Sequence, residues 1–108
     1  HVKPGMRAYE EELFGPVGVV LPYESVEEAI GIANDSEFGL QAYVFGPLEQ
    51  CKAMAPRLRA GTVLINGYGE LRPDSPMGGF KQSGIGRERG EDGLKEFFEI
   101  QHVQWVVS

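Results

Sequence analysis

Apolar residues along the chain fall into short stretches parted by turn residues, and their spacing predicts alternating strands and helices. Val17-Gly18-Val19-Val20-Leu21 is a β-branched run closed by Pro22, and its lack of strict alternation predicts a strand covered on both faces. Ser25-Val26-Glu27-Glu28 fits the S-x-x-E capping box, and Val26, Ala29, Ile30 and Ala33 follow at helical spacing. That helix is expected to end near Asn34-Asp35-Ser36. Gly39 to Phe45 reads as a second strand, and Gly46-Pro47 opens a second helix with Leu48, Cys51, Ala55 and Leu58 on one face. Pro56 predicts a kink or an early stop, since a proline ring removes a donor and crowds the preceding turn. Gly61 to Ile65 is a third strand, ending at Asn66-Gly67, and the residues from Glu91 to Phe98 predict a short helix with Leu94, Phe97 and Phe98 turned inward. Glu99 to Val107 alternates around Ile100, Val103 and Trp105 to Val107 and predicts a final strand. Two strand–helix–strand units in succession imply a parallel sheet with right-handed crossovers, hence the α/β class.

The chain has 108 residues, enough for one domain with a modest core, and its 42% apolar content permits that core. No run approaches the length of a membrane span and no basic-then-apolar leader opens the sequence, so a soluble cytosolic chain without a membrane partner is expected. A single cysteine forms no internal disulfide, in keeping with a reducing compartment. The net charge of −6 argues against nucleic acid as a partner. That charge is uneven: no Lys or Arg occurs from Ala8 to Cys51, whereas eight of the ten basic residues lie between Lys52 and Lys95. Two solvated faces of opposite sign account for this better than a basic loop facing an anion.

Packing alone does not explain Pro76-Met77-Gly78-Gly79-Phe80-Lys81-Gln82-Ser83-Gly84-Ile85-Gly86-Arg87-Glu88, which holds four glycines in thirteen residues. Such a backbone can visit positive φ or approach another group where a Cβ would clash. Its continuation Gly84-Ile85-Gly86-Arg87-Glu88-Arg89-Gly90 superficially suggests a dinucleotide fingerprint. The spacing is G-x-G-x-x-x-G, no strand directly precedes it, and no acidic residue closes a second strand about 20 residues on, so a phosphate cradle is rejected. Lys81 and Arg87 read as structural hydrogen-bond donors. Upstream, Glu10-Glu11-Glu12 stands beside Leu13-Phe14-Gly15-Pro16, and three adjacent acids ordinarily form a solvated run. Cys51 lies on an apolar helix face with nothing basic nearby except Lys52. A nucleophilic thiol needs a base, cation or helix start to lower its pKa, so Cys51 is read as a core residue.

The Pro76 to Glu88 stretch closely resembles the C-terminal signature of the aldehyde dehydrogenase superfamily, P-F-G-G-[FY]-K-x-S-G-x-G-R-E. Glu11-Glu12-Leu13-Phe14-Gly15-Pro16-Val17 is similar to the family's E-E-[IL]-F-G-P-V segment. Between the two, Ile32-Ala33-Asn34-Asp35, Phe38-Gly39-Leu40 and Arg59-Ala60-Gly61-Thr62-Val63 resemble family segments in the same order. Several blocks in register, from about Met6 to Trp105, are far more specific than one Gly-rich motif.

The resemblance implies a parallel sheet of βαβαβ units from the C-terminal part of an aldehyde dehydrogenase catalytic domain at residues 1–98, plus a terminal oligomerisation strand at 99–108. It implies an enzyme, NAD- or NADP-dependent, that oxidises an aldehyde to a carboxylic acid through a thiohemiacetal and a thioester on a cysteine, with a glutamate activating water. The segments bearing that cysteine and that general base do not occur here, so no catalytic residue and no cofactor binding are expected of the chain alone, and no metal site. Glu12 matches the family glutamate that accepts hydrogen bonds from the nicotinamide ribose, an apt task for an acceptor-only carboxylate, and Phe14 matches the aromatic at the nicotinamide end. Leu71 and Met77 fall on the wall of the aldehyde tunnel, where Met77 replaces the usual phenylalanine and gives a softer surface. The terminal strand implies a homo-oligomer paired through residues 99–108. An alternative from another class is a non-catalytic interaction module that keeps the fold's core and its dimerising strand.

Overall fold

The computed structural model describes residues 2–70 and 72–107. Its centre is one parallel strand–helix–strand unit. Strand β1 (Phe38–Gly39) leads into β2 (Gln41–Val44), and β2 runs parallel to β3 (Thr62–Ile65), with Gln41 opposite Thr62 and Val44 opposite Ile65. The crossover is α3 (Leu48–Met54), continued by a 3₁₀ turn over Ala55–Arg57. Pro56 sits in that turn, and the α-helix stops at Met54, two residues before it, an early stop of the kind the sequence predicts.

Before this unit, α1 (Arg7–Glu10) is a single turn and α2 (Val26–Asn34) is the capped helix. Ser25 Oγ accepts from the Glu28 amide at 3.2 Å, and Glu28 Oε2 accepts from the Glu24 amide at 2.7 Å, one residue earlier than an ideal capping box. After it come β4 (Phe80–Lys81), antiparallel to β1, and α4 (Gly90–Lys95). The core is small: Ile30 of α2, Val44 of β2, Cys51 of α3 and Leu58 are buried, and Ala42, Met54, Val63 and Ile65 pack against them. Cys51 is the most buried of these, as its core reading requires.

Three expectations are corrected. Residues 17–21 form no strand, and Val17 and Val20 are 60% and 89% exposed, so a single parallel unit stands where two were expected. Residues 99–107 likewise form no strand among the described residues, with Ile100 98% exposed. Leu94, Phe97 and Phe98 face outward rather than inward. The cause is common to all three. A strand exists only when its amides and carbonyls find a partner, and an apolar face is covered only when something packs on it.

The overall dimensions agree. The Cα radius of gyration is 18.7 Å, against about 13 Å for a compact domain of this length. The accessible surface is 9131 Å², against about 6,000 Å² for a compact monomer of this mass.

What holds β3 to the Gly-rich loop is a close backbone crossing. A Cβ on Gly61 would overlap the Gly78 carbonyl oxygen and stand 2.8 Å from its carbon. Gly61→Ala is therefore expected to destabilise the fold by about 3 kcal/mol, at the upper end for overpacking against backbone. Gly67→Ala, where nothing lies within 4 Å, is the control. Urea unfolding that gives the two variants the same midpoint would remove the crossing from its structural role.

Candidate functional site

The acidic run is sorted by its local geometry. Within α1 and the residue after it, Arg7 holds the Glu11 carboxylate through Nε and Nη2 at 2.8 to 3.0 Å, an i,i+4 pair. Glu10 Oε1 accepts from the Gly5 amide at 2.7 Å. Glu12 accepts no side-chain hydrogen bond among the described residues and remains exposed. Of three chemically equal carboxylates, two are committed to their own turn and one is free to accept from outside.

Phe14, two residues on, is 92% exposed and has φ of 44°, a left-handed backbone that a bulky side chain adopts only at a cost. Glu12 and Phe14 line one shallow cleft together with Leu13, Gly15 and Val17. An acceptor-only carboxylate beside an unpacked aromatic face can bind vicinal hydroxyls attached to a flat ring.

Met77 lies elsewhere. Half-buried, it lines a small cleft with Leu40, Gln41, Thr62, Leu64, Gly69 and Glu70, apart from the cleft of Glu12 and Phe14. Leu71, the other wall residue expected, lies outside the described residues. Met77 is fixed by its main chain, which exchanges two hydrogen bonds of 2.8 Å with Glu88.

The loop between those partners is clasped from within. Arg87 Nη1 donates to the Gly79 and Gly86 carbonyls at 3.1 and 2.6 Å, and its guanidinium stands 5.4 Å from the Phe80 ring centroid. Lys81 Nζ donates to the carbonyls of Asn34 and Ser36, both at 2.8 Å. Both cations thus act as structural donors.

Asn66, with φ of 54°, closes the end of the parallel pair. Its side chain accepts from the Gly46 amide at 2.8 Å and donates to the Gly46 carbonyl at 2.9 Å. The Asn-Gly pair marks a turn in the sequence, but nothing there shows that the asparagine reaches back twenty residues. A second unsignalled link joins Tyr9 to Asp35, with Tyr9 Oη donating to Asp35 Oδ2 at 2.7 Å. No periodicity signals such a pair, since it joins residues 26 positions apart across two elements.

The bond to Asp35 raises the Tyr9 pKa, because it favours the protonated phenol, with desolvation and the charges of Asp35 and Glu10 acting in the same direction. A raised folded-state value means that the contribution to stability is complete below the ordinary tyrosine pKa of about 10 and is lost as pH rises through the folded value. In a tyrosinate absorbance titration, Tyr9→Phe is expected to remove one group from the alkaline end of the curve. Loss of a group from its early part would contradict the bond.

Residues 1–103 match the aldehyde dehydrogenase family. The chain is 48% identical to the betaine aldehyde dehydrogenase of Bacillus subtilis over 91% of its own length, and 46% identical to retinal dehydrogenase 2 of Gallus gallus over 95%. It spans 20% of the length of each of these relatives. Among solved structures, the NAD+ complex of an aldehyde dehydrogenase from Bacillus cereus superposes with a TM-score of 0.84 at 46% identity, covering 91% of this chain and 20% of that one. A betaine aldehyde dehydrogenase from Staphylococcus aureus, in complex with NAD+, superposes with a TM-score of 0.81 at 46% identity, covering 85% and 18%.

Proposed function

Since this chain belongs to the aldehyde dehydrogenase family, a segment of whose α/β fold it forms, we propose that it is the C-terminal part of an NAD(P)-dependent enzyme oxidising an aldehyde to a carboxylic acid. The observation that carries this reading is the free Glu12 carboxylate beside the outward Phe14 ring, in a segment where Glu10 and Glu11 are already engaged. In the proposed enzyme Glu12 accepts from the two hydroxyls of the nicotinamide ribose and Phe14 restrains the ring. When bound, the nicotinamide supplies the acceptor for the hydride that leaves the aldehyde carbon. The work of this chain is placement: a carboxylate and an aromatic face limit how far the ring can wander from the reacting carbon. The nucleophile and the general base belong to segments outside these 108 residues, and Cys51, buried in the core, is neither.

Met77, with Leu71, is proposed for the substrate wall, and the thioether makes that wall adaptable. NAD is the cofactor that two of the solved relatives carry, and it is the one proposed here.

Residues 99–107 bring Ile100, Val103, Trp105, Val106 and Val107 to the surface at 67% to 98% exposure. A row of exposed apolar residues without a ladder partner is a template for another strand. We assign it to pairing with a second copy of the enzyme, which supplies the ladder partner this chain lacks. The non-catalytic alternative gains no support from this segment, which would serve either protein alike. In sedimentation, the intact protein is expected to be at least dimeric at micromolar concentration, and the form lacking residues 99–108 smaller. A monomer in both cases would dismiss the strand as an assembly element.

The cofactor assignment is tested by Glu12→Gln in the intact enzyme. An amide oxygen still accepts but without the charge, and its nitrogen donates, so the ribose is held less firmly. Single-turnover hydride transfer at saturating cofactor is expected to slow by about tenfold or more, in line with loss of a charge-assisted bond, while the cofactor Kd changes less. Equal rates for variant and parent would end the assignment.

A further inference from the structure

We propose that Lys81, Asp35 and Tyr9 form a positioning bridge that ties the Gly-rich loop to the segment carrying Glu12. The inference rests on the reading of Glu12 given above. Lys81 is half-buried at φ of 53°, and its ammonium group donates to the carbonyls of Asn34 and Ser36, on either side of Asp35. These carbonyls lie at the end of α2, where the helix leaves oxygens without internal donors and where a cation also suits the helix dipole.

The same short segment is held along its length. The Gln82 amide donates to the Glu37 carbonyl at 2.8 Å, the Gly39 amide to Ser83 Oγ at 2.9 Å, and the Asn34 side chain bonds the Arg57 carbonyl and the Arg59 amide at 2.9 and 2.8 Å. Asp35 therefore stands on a fixed base.

The other end of the bridge is the bond from Tyr9 to Asp35. It is the one hydrogen bond, among the described residues, that joins residues 2–22 to the rest of the chain. Tyr9 precedes Glu12 by three residues, with α1 and its Arg7–Glu11 pair making that span a stiff local unit. Tyr9, Glu10, Asn34, Asp35, Glu37 and Lys81 line a common cleft. The segment that presents Glu12 has little apolar anchorage, since residues 10–20 are all exposed. Its placement hangs on this polar link.

Tyr9 and Lys81 are positioning residues, acting through Glu12 without touching a substrate. In the intact enzyme, Tyr9→Phe is expected to speed amide hydrogen exchange in residues 9–13 about fivefold, as loss of one net hydrogen bond implies, with the melting temperature unchanged. Lys81→Met is expected to do the same, and Lys81→Arg, which can still donate to both carbonyls, to restore protection. Single-turnover hydride transfer should slow in Tyr9→Phe with the aldehyde KM held, and should slow no further when Tyr9→Phe is added to Glu12→Gln. Parental exchange in Tyr9→Phe overturns the bridge; should Lys81→Met fail to fold, Tyr9→Phe decides the matter alone. Parental exchange and rate in Tyr9→Phe beside a slow Glu12→Gln leave the cofactor reading standing and remove only the bridge. A parental rate in Glu12→Gln removes the cofactor reading and the catalytic consequence of the bridge, while the exchange measurement still judges the link itself.

Discussion

Gly61 and Gly78 meet so closely that no side chain can stand between them, and the geometry of the Gly-rich loop follows from that contact. The Gly78 carbonyl takes the place a Cβ of Gly61 would occupy, and a Cβ on Gly39 would likewise collide with the Arg59 carbonyl. The same Gly39 Cβ would stand 3.0 Å from the Phe80 Cβ, so the loop lies against the start of β3 through Gly78 and against β1 through Phe80. From there the consequences run outward. Phe80 and Lys81 pair with Gly39 and Phe38, Lys81 reaches the end of α2, and Met77 is held opposite Glu88. Backbone contact is the right means for this task, because a carbonyl against a Cα leaves no rotamer to vary, whereas side-chain packing would.

The loop's two cations divide the labour. Arg87 closes the loop on itself through Gly79 and Gly86, and Lys81 fastens it to a separate element. The choice of residue suits each role. A planar guanidinium can bond two carbonyls while lying near the Phe80 ring, and a compact ammonium group with three donors can sit between two carbonyls of one chain. The ion pairs of the outer surface do less. Glu27 with Arg57 lowers the glutamate pKa, so its contribution is present above the ordinary carboxylate range and is lost as pH falls through the lowered value. Both side chains are exposed, and solvent screens them.

Much of the centre was legible in the sequence, because its signals are local. The capping box at Ser25, the stop at Pro56 and the β-branched run of β3 each act within a turn or two, and each appears where expected. Residues 17–21 and 99–107 were read with the same rules and form no strand here. Periodicity reports what a segment is built to be buried against; it carries no information on whether the covering partner is in the same chain. The candidate site divides in the same way. That some carboxylate of Glu10-Glu11-Glu12 faces outward is within reach of composition, but that Arg7 and the Gly5 amide engage Glu11 and Glu10 is a matter of three-dimensional register. The pairing of Tyr9 with Asp35 leaves no signal in the sequence, since neither the spacing nor the residue types depart from an ordinary surface.

An accessible area some half as large again as that of a compact protein of this mass, with Phe14, Val20, Phe97, Ile100 and Trp105 among its exposed residues, cannot be sustained by a core of four buried apolar side chains. Exposed apolar area of this extent is costly in water, at about 25 cal/mol for each Å². Much of it lies along residues 13–20 and 97–107, with Tyr68 and Ile85 exposed as well, while the parallel pair and the Gly-rich loop are internally bonded. Relatives five times its length have the material to cover such surface, which a chain of this length cannot bury with its own residues.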